Sequence, residues 1–160
     1  MESFEELYQN HYQALHRIAQ KMMCHDAAND IVQDVFIDFF QKTKNGVQIK
    51  HPKSYLYRGT LNKCIDEQRR TQKFADRQID KETTDGRFDY EKQETRECIR
   101  HCLSNLETRD RELTLLYSEG LSYKEMSEIT QIPLTSIGKT LARALKKLEK
   151  ELKVKGYELP

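Results

Sequence analysis

The chain has 160 residues, of which a third are charged and 9% are aromatic, and it contains no tryptophan. This length has room for one domain or two small ones with a modest helical core. No apolar run reaches the roughly 20 residues that a membrane span needs, and there is no secretory signal pattern, so we predict a soluble cytoplasmic protein without membrane insertion. The four cysteines form no CxxC pair, which favours reduced thiols over a disulfide framework.

Charge is strongly segregated along the chain, although the net charge is only +1. Residues 50–75 and 131–160 carry net charges of +5 and +4, whereas residues 1–49, 76–95 and 96–130 are all negative. A uniformly solvated protein has little reason to sort its charges in this way. Two separate basic segments in a near-neutral chain indicate two contacts with a polyanion.

Helical periodicity predicts three helices in the first half of the chain, over roughly residues 3–23, 27–43 and 52–73. Asp26 is the predicted N-cap of the second helix, because its side chain can accept from the first free amides. Pro52 suits the first turn of the third helix, where its missing amide costs nothing.

The second helix carries an acidic stripe, because Asp30, Asp34 and Asp38 are four residues apart. Like charges at that spacing repel mildly, and Ile37 lies beside them among polar residues. Such a face either keeps the protein soluble or docks a basic protein partner. The pattern alone favours neither interpretation.

The third helix interleaves aromatic and cationic side chains, among them Tyr57 and Arg58. Single-stranded DNA is bound by such surfaces, since rings stack on bases and cations hold phosphates. The alternative is an ordinary basic helix end, in which Arg69, Arg70 and Lys73 complement the helix dipole. The two interpretations are compatible.

Periodicity is lost before residue 96, and we predict a flexible acidic linker over residues 76–95. Helicity resumes near Arg96. A further helix, over residues 109–118, is predicted to be capped by Thr108 or Asn105 and to be stopped by Gly120, a residue type that commonly ends helices.

Cys98, His101 and Cys102 have the spacing of one helical face, so a metal or redox site has to be considered. Cysteine is among the most buried residue types, and the two thiols fall on the apolar stripe of this helix. A fourth ligand is missing for zinc. We therefore predict core packing, and neither a metal nor a cofactor.

Residues 122–148 have the pattern of a helix-turn-helix. Ser122 and Glu125 form a predicted capping box, and Pro133 separates the two helices. The second helix has one apolar face and one basic, polar face, as a reader of the major groove requires. The alternative is a helical hairpin whose charges are only solvated.

Together the elements predict an all-α protein of about seven helices. We expect two small helical domains joined by the flexible acidic linker, because no strand-like alternation persists and no repeat is evident.

Ordered motifs of this chain resemble those of the extracytoplasmic-function (ECF) sigma factors of bacterial RNA polymerase. The similar stretches are DIVQDVF, SYLYR, LETRDREL and YSEGLSYKE, which begin at residues 30, 54, 106 and 117. The resemblance implies a sigma-2 domain over residues 1–75 and a sigma-4 helix-turn-helix domain over residues 96–155. It implies a transcription initiation factor, which is itself no enzyme.

The resemblance also implies partners and roles. Core RNA polymerase would be bound through its β′ clamp helices and β flap, with Asp30, Gln33, Asp34 and Ile37 on the clamp helices. An anti-sigma factor is a further partner that the family allows. Promoter DNA would be opened at the −10 element, where a base flipped from the non-template strand is captured. The residues expected there are Lys50, Lys53, Tyr55, Tyr57, Arg58, Asn62, Arg69 and Arg70.

The −35 element would be read in the major groove by the second helix of the helix-turn-helix. The residues expected there are Thr135, Ser136, Lys139, Thr140, Arg143, Lys146 and Lys147, with the last two on phosphate. The chain departs from the family at Gly138, where members usually carry a basic residue, and at Thr140, where they often carry another. The loop over residues 45–54 also differs, so the resemblance does not name the captured base.

Three other functions fit parts of the sequence. A stand-alone helix-turn-helix regulator would bind DNA without polymerase, but it leaves the acidic second helix and the basic third helix unexplained. A helical adaptor would bind only proteins. An enzyme is disfavoured because the chain has no phosphate loop, HExxH or GxSxG motif.

In the free protein we expect the two domains to fold together, or onto an anti-sigma protein, and to cover both basic faces.

Overall fold

The computed structural model describes residues 2–75 and 90–156, and all regular structure within these ranges is helical. This confirms the all-α prediction. The predicted linker lies mostly outside the described residues, and its last part belongs to a helix. The helices are α1 (Phe4–Gln20), α2 (His25–Lys44), α3 (Pro52–Ala75), α4 (Tyr90–Ser104), α5 (Thr108–Ser118), α6 (Tyr123–Thr130) and α7 (Leu134–Val154).

The helix ends test the predicted caps. The capping box of Ser122 and Glu125 is confirmed, with hydrogen bonds of 3.0 and 3.1 Å. Asp26 was wrong as the N-cap of α2, because the helix begins at His25, two residues earlier than predicted, and places Asp26 in the first turn. There its carboxylate still faces the positive end of the helix dipole.

The caps predicted for α5 were also wrong. Glu107 is its N-cap, and Thr108 is its first helical residue. The predicted end of α5 is confirmed, because Gly120 follows the helix with a φ of +76°. Glycine adopts this left-handed conformation without the steric cost that a Cβ brings.

Helices α1, α2 and α3 pack together as the N-terminal bundle. Its core includes fully buried Leu15, Phe36 and Leu61. α2 and α3 approach closely, because a Cβ on Gly59 would lie 3.3 Å from a methyl carbon of Val35. Burial of these apolar side chains is the main force that holds the three helices together.

Helices α4 to α7 form the C-terminal bundle, in which α7 packs on both α4 and α5. Leu113, Met126 and Ile137 are fully buried there. The cores of the two bundles belong to one hydrophobic cluster, and α3 contacts α6 directly. The two bundles therefore lie against each other. No described helix is long and apolar enough to cross a membrane.

The turn between α6 and α7 places the two helices of the helix-turn-helix. Gln131 has a left-handed φ of 63°, and Pro133 stands at the N-cap position of α7. Ser127 Oγ donates to the carbonyl of Ile132 across the turn at 2.5 Å. One helical turn further on, Gly138 faces the ring of Tyr123, and a Cβ on Gly138 would lie 3.6 Å from that ring.

We predict that Gly138→Ala stabilises the protein. The added Cβ meets Tyr123 at an ordinary van der Waals distance, and alanine in a helix interior is favoured over glycine by about 0.5–1 kcal/mol. Chemical denaturation should therefore show a higher free energy of unfolding.

Gly120→Ala is the matched control, since the same methyl group is added at a left-handed position. This variant should be less stable than the original chain. Equal effects of the two substitutions would contradict the packing described around Gly138.

Candidate functional site

The predicted polymerase-docking residues share one exposed face of α2. Asp30, Gln33, Asp34 and Ile37 all reach solvent, and the side chain of Ile37 is 52% exposed. Within the part of the chain that the structure describes, neither Asp30 nor Asp34 has a cation or hydrogen-bond donor as partner. An unpaired acidic face around an exposed apolar side chain suits a basic protein partner.

Aromatic side chains that the sequence analysis did not assign to this surface lie next to it. Phe40 on α2 is 46% exposed and packs against Phe4, with ring centres 5.1 Å apart. Tyr8 on α1 is also exposed and lies 4.9 Å from Phe36. The exposed face predicted for docking therefore continues from α2 onto α1 as an apolar patch. The excess of phenylalanine in α2 was the signal in the sequence.

The third aspartate of the acidic stripe has a different role. Tyr55 donates to Asp38 at 2.5 Å, and Lys42 donates to the Tyr55 hydroxyl at 2.8 Å. The hydrogen bond from Tyr55, together with the charge of Lys42, lowers the pKa of Asp38. This chain of contacts ties α3 to α2, so Tyr55 is held inside the N-terminal bundle.

The predicted −35 residues lie on the solvent side of α7. Thr135, Lys139, Arg143 and Lys146 are exposed, whereas Ser136 and Thr140 are half-buried. Lys147 is exposed too, but its ammonium pairs with the buried carboxylate of Asp110 at 3.0 Å.

The predicted −10 residues divide into two groups. Lys50, Asn62, Arg69 and Arg70 are exposed to solvent. The remaining four contact other side chains of the protein and are half-buried or buried, and they are Lys53, Tyr55, Tyr57 and Arg58.

Tyr57 is the most enclosed of these four, with only 3% of its surface exposed. Burial, followed by the nearby charges of Glu119 and Glu125, raises the pKa of its phenol to about 12. Its ring meets that of His11 edge to face, with centres 6.2 Å apart. Tyr57 therefore cannot stack on a base in this arrangement.

Lys53 and Arg58 are engaged by the C-terminal bundle. Lys53 pairs with Glu125 at the start of α6. Arg58 donates to Glu112 at 3.3 Å and also to the carbonyl of Ile129. Both cations come from α3, and both carboxylates come from the C-terminal bundle.

Contacts between the two bundles continue along the same surface, which we call the domain junction. Arg17 on α1 pairs with Glu119 at 2.8 Å. In the opposite direction, Arg111 on α5 donates to Gln68 on α3 at 2.5 Å. The junction thus joins cations of the N-terminal bundle to carboxylates of residues 96–130, as the charge segregation of the sequence allows.

Glu112 is a buried carboxylate of this junction, with 8% of its side chain exposed. Burial raises its pKa, and the charge of Arg58 opposes that effect. A buried carboxylate is stable only when it is paired and hydrogen-bonded. Glu112 therefore depends on Arg58.

We expected the free protein to cover both basic faces, and in this arrangement it covers one. The junction engages part of α3, whereas the basic face of α7 that is predicted to read DNA stays exposed. The reason is that the C-terminal bundle turns α5 and α6 toward α3. α7 supports both from behind, with its basic side chains pointing away.

A cavity of about 690 Å³ lies between α6 and the loop over residues 45–54, which the family resemblance assigns to capture of the flipped base. Its apolar lining includes Phe4, Phe39 and Ile49, and Glu125 and Glu128 of α6 line it as well. The loop therefore borders a concave space, one side of which belongs to the C-terminal bundle.

Core packing was predicted for both thiols of α4, and only one of the two is fully buried. Cys102 is fully buried and Cys98 is half-buried on the same helix. Within residues 2–75 and 90–156, no three histidine, cysteine or acidic side chains converge as a metal site.

Family models match two separate parts of the chain. Residues 7–74 match the model described as "Sigma-70 region 2", and residues 96–148 match "Sigma-70, region 4". The two matches together cover well over half of the chain. No curated protein matches the sequence.

Two solved structures have a similar fold. One is CnrH in complex with the cytosolic domain of CnrY, with 21% identity and a TM-score of 0.70 over 94% of this chain and 88% of that one. The other is the sigma factor RpoE of Bartonella quintana in complex with the anti-sigma factor NepR. It has 22% identity and a TM-score of 0.66, over 94% of this chain and 97% of that one.

We call the arrangement in which the two bundles lie against each other the closed arrangement. We predict that Arg58→Ala destabilises it by about 1–3 kcal/mol, because Glu112 is then buried without its partner. The free energy of unfolding should fall by that amount in denaturant titrations. The double variant Arg58→Ala with Glu112→Gln should recover part of the loss, since the unpaired charge is gone. If the double variant is no more stable than the single one, Glu112 does not depend on Arg58.

Proposed function

The chain belongs to the sigma-70 family and is an alternative sigma factor, and we propose that it binds core RNA polymerase and directs it to promoters. One observation supports this most strongly. The chain carries an exposed basic face on α7 and an acidic face on α2, where Asp30 and Asp34 have no partner among the described residues. A protein that links polymerase to duplex DNA needs both surfaces.

The exposed face of α2 is the proposed contact with the β′ clamp helices. Asp30 and Asp34 would meet basic side chains, and Ile37 would enter an apolar depression between them. Charges at the edge of such an interface speed association, and the apolar centre contributes most of the affinity. The neighbouring Phe40 extends the apolar centre.

The exposed face of α7 is the proposed reader of the −35 element. Thr135 and Lys139 lie near its N-terminal end, which enters the major groove first in helix-turn-helix proteins. Arg143 can contact guanine through two hydrogen bonds. Lys146 lies further along, where phosphate contacts position the helix.

Contact with the −10 element requires the domain junction to open. Lys53 and Arg58 are paired with carboxylates of the C-terminal bundle and Tyr57 is buried, so these three side chains become available to DNA only after that bundle leaves α3. We propose that polymerase drives this separation by binding the two bundles at separate places, the second of them the β flap. The residues 1–75 and 96–155 then act as sigma-2 and sigma-4 domains, and residues 76–95 as the tether. Catalysis belongs to the polymerase, in the cytoplasm.

An anti-sigma protein is a further proposed partner. The two similar structures each contain a protein bound to the chain that shares this fold, and one of these proteins is called an anti-sigma factor. Such a partner would act here by keeping the junction closed or by covering the α2 face.

A stand-alone regulator is the second candidate, and the exposure of α7 in the closed arrangement favours it. In that case the chain would bind duplex DNA without polymerase. The unpaired docking face on α2 would then have no role.

In vitro transcription with core polymerase from the source organism tests the proposal. Promoter-specific initiation should depend on the added protein, and aligned start sites should show both promoter elements. If nothing initiates while duplex DNA is bound tightly without polymerase, the stand-alone regulator replaces the sigma factor.

We predict that Asp34→Lys weakens binding to core polymerase at least tenfold, or about 1.4 kcal/mol, because a cation would then face basic side chains. Binding can be measured by fluorescence anisotropy of the labelled chain. Glu97→Lys, an equal charge change on an exposed residue of α4, is the control and should bind normally. Equal loss in both variants would attribute the effect to net charge.

We predict that Arg143→Ala weakens recognition of the −35 element by about 1–3 kcal/mol, as expected for a base-edge contact. The measurement is competition between promoters that differ in the −35 element, with holoenzyme. Lys155→Ala is the control, because Lys155 lies roughly 18 Å further along the helix axis. Unchanged promoter preference of the Arg143 variant would refute the assignment.

A further inference from the structure

A basic cleft at the domain junction has no role in the function proposed above. It encloses about 290 Å³ between the end of α1, the start of α2 and the face of α4. Its lining consists of Arg17, Gln20, Lys21, His25, Arg96, Ile99 and Arg100. Four of these side chains are cations, and no carboxylate is among the described residues that line it.

The positive charge of this cleft is not a by-product of a basic segment. Residues 1–49 and 96–130, which supply the lining, are both acidic overall. Yet Arg17 and Lys21 are two of only four basic side chains in the first range. The second range contributes two cations from consecutive turns of α4.

The cations are only partly neutralised. Glu119 accepts from Arg17 at 2.8 Å and lies 3.5 Å from the Lys21 ammonium, so one carboxylate serves two cations. Arg100 uses its Nε to donate to the carbonyl of Gln20 at 3.3 Å. The side chain of Arg96 has no ion pair or hydrogen bond in the described part of the chain. Like charges held together in this way repel unless an anion joins them.

We propose that this cleft binds a small molecule that carries two or more linked phosphates. Guanidinium groups form paired hydrogen bonds with phosphate oxygens, and several cations together favour a multiply charged ligand. The volume lies at the lower end of small-molecule sites. It suits a di- or triphosphate group, with Ile99 as an apolar wall beside it.

The ligand would bridge the two bundles, since Arg17 and Lys21 belong to one and Arg96 and Arg100 to the other. Any ligand that binds only the closed arrangement stabilises it by mass action. The molecule would therefore oppose the opening that exposes the −10 residues. This regulatory consequence rests on the proposed function, whereas binding itself does not.

Calorimetric titration of the full chain with sodium tripolyphosphate tests the site. One molecule should bind per chain, and Arg96→Ala should weaken binding about tenfold, the loss expected for one charge-assisted contact. Arg96 has no partner in the described residues, so its removal should leave the melting temperature unchanged. The control Arg109→Ala removes an exposed arginine outside the cleft and should bind within about twofold of the original chain.

A parallel titration with ATP distinguishes two sources of the phosphate groups. Equal affinities would identify the phosphates as the whole determinant, and at least tenfold tighter binding of ATP would identify a nucleotide site. Either result supports the cleft.

Hydrogen exchange locates the bound tripolyphosphate. Protection should increase at the end of α1 and around Arg96 to Arg100 on α4. Protection confined to α7 would place the anion on the DNA-reading face and overturn the proposal. No binding, or equal weakening by Arg96→Ala and Arg109→Ala, would overturn it as well. These measurements use neither polymerase nor DNA, so their failure is distinct from a failure of the sigma-factor proposal.

Discussion

The buried pair of Arg58 and Glu112 is the contact on which the closed arrangement depends. Glu112 is largely shielded from water, and Arg58 compensates for that loss, with help from the neighbouring cations Arg111 and Arg109. The Arg58 guanidinium also donates a hydrogen bond to the backbone carbonyl of Ile129, near the end of α6. One side chain of the N-terminal bundle therefore satisfies two polar groups of the C-terminal bundle.

The junction around this pair is polar, and that has consequences for its strength. Charge pairs such as Lys53 with Glu125 are partly exposed, so each contributes little to stability and is weakened by salt. An interface of this kind is specific, but its contacts can be exchanged for those of another charged partner. In the proposed function polymerase and promoter DNA are such partners, since DNA phosphates can replace Glu112 and Glu125 opposite α3.

Local patterns in the sequence predicted the helices well, because periodicity and caps act over a few residues. The capping box at Ser122 and the break at Pro133 are examples, and both are present. Starts without a strong cap were less predictable, as α2 and α5 show, since the tertiary packing decides there. α4 begins at Tyr90, earlier than the charge-rich composition of that stretch indicates.

Exposure of the candidate site residues was harder to predict. Periodicity correctly identified the outer faces of α2 and α7, because each packs on a single core. α3 packs on α1 and α2 within its own bundle and also on α6 of the other bundle, so more of its surface is covered than an apolar stripe indicates. Tyr57 and Arg58 were therefore predicted as open DNA contacts and lie in the junction. The basic cleft combines residues of α1 and α4 that are far apart in the chain, and no local pattern indicates it.

The close crossing of α2 and α3 at Gly59 has a mechanical consequence. Val35 fits against a residue without a side chain, and Tyr55 is hydrogen-bonded to Asp38 nearby. Sliding or rotation of one helix against the other would displace the Val35 side chain from the space beside Gly59. A protein that grips the outer side of α2 thus also fixes the orientation of α3. In the proposed complex the surface that receives the separated strand is aligned as soon as the clamp is bound, before any DNA arrives.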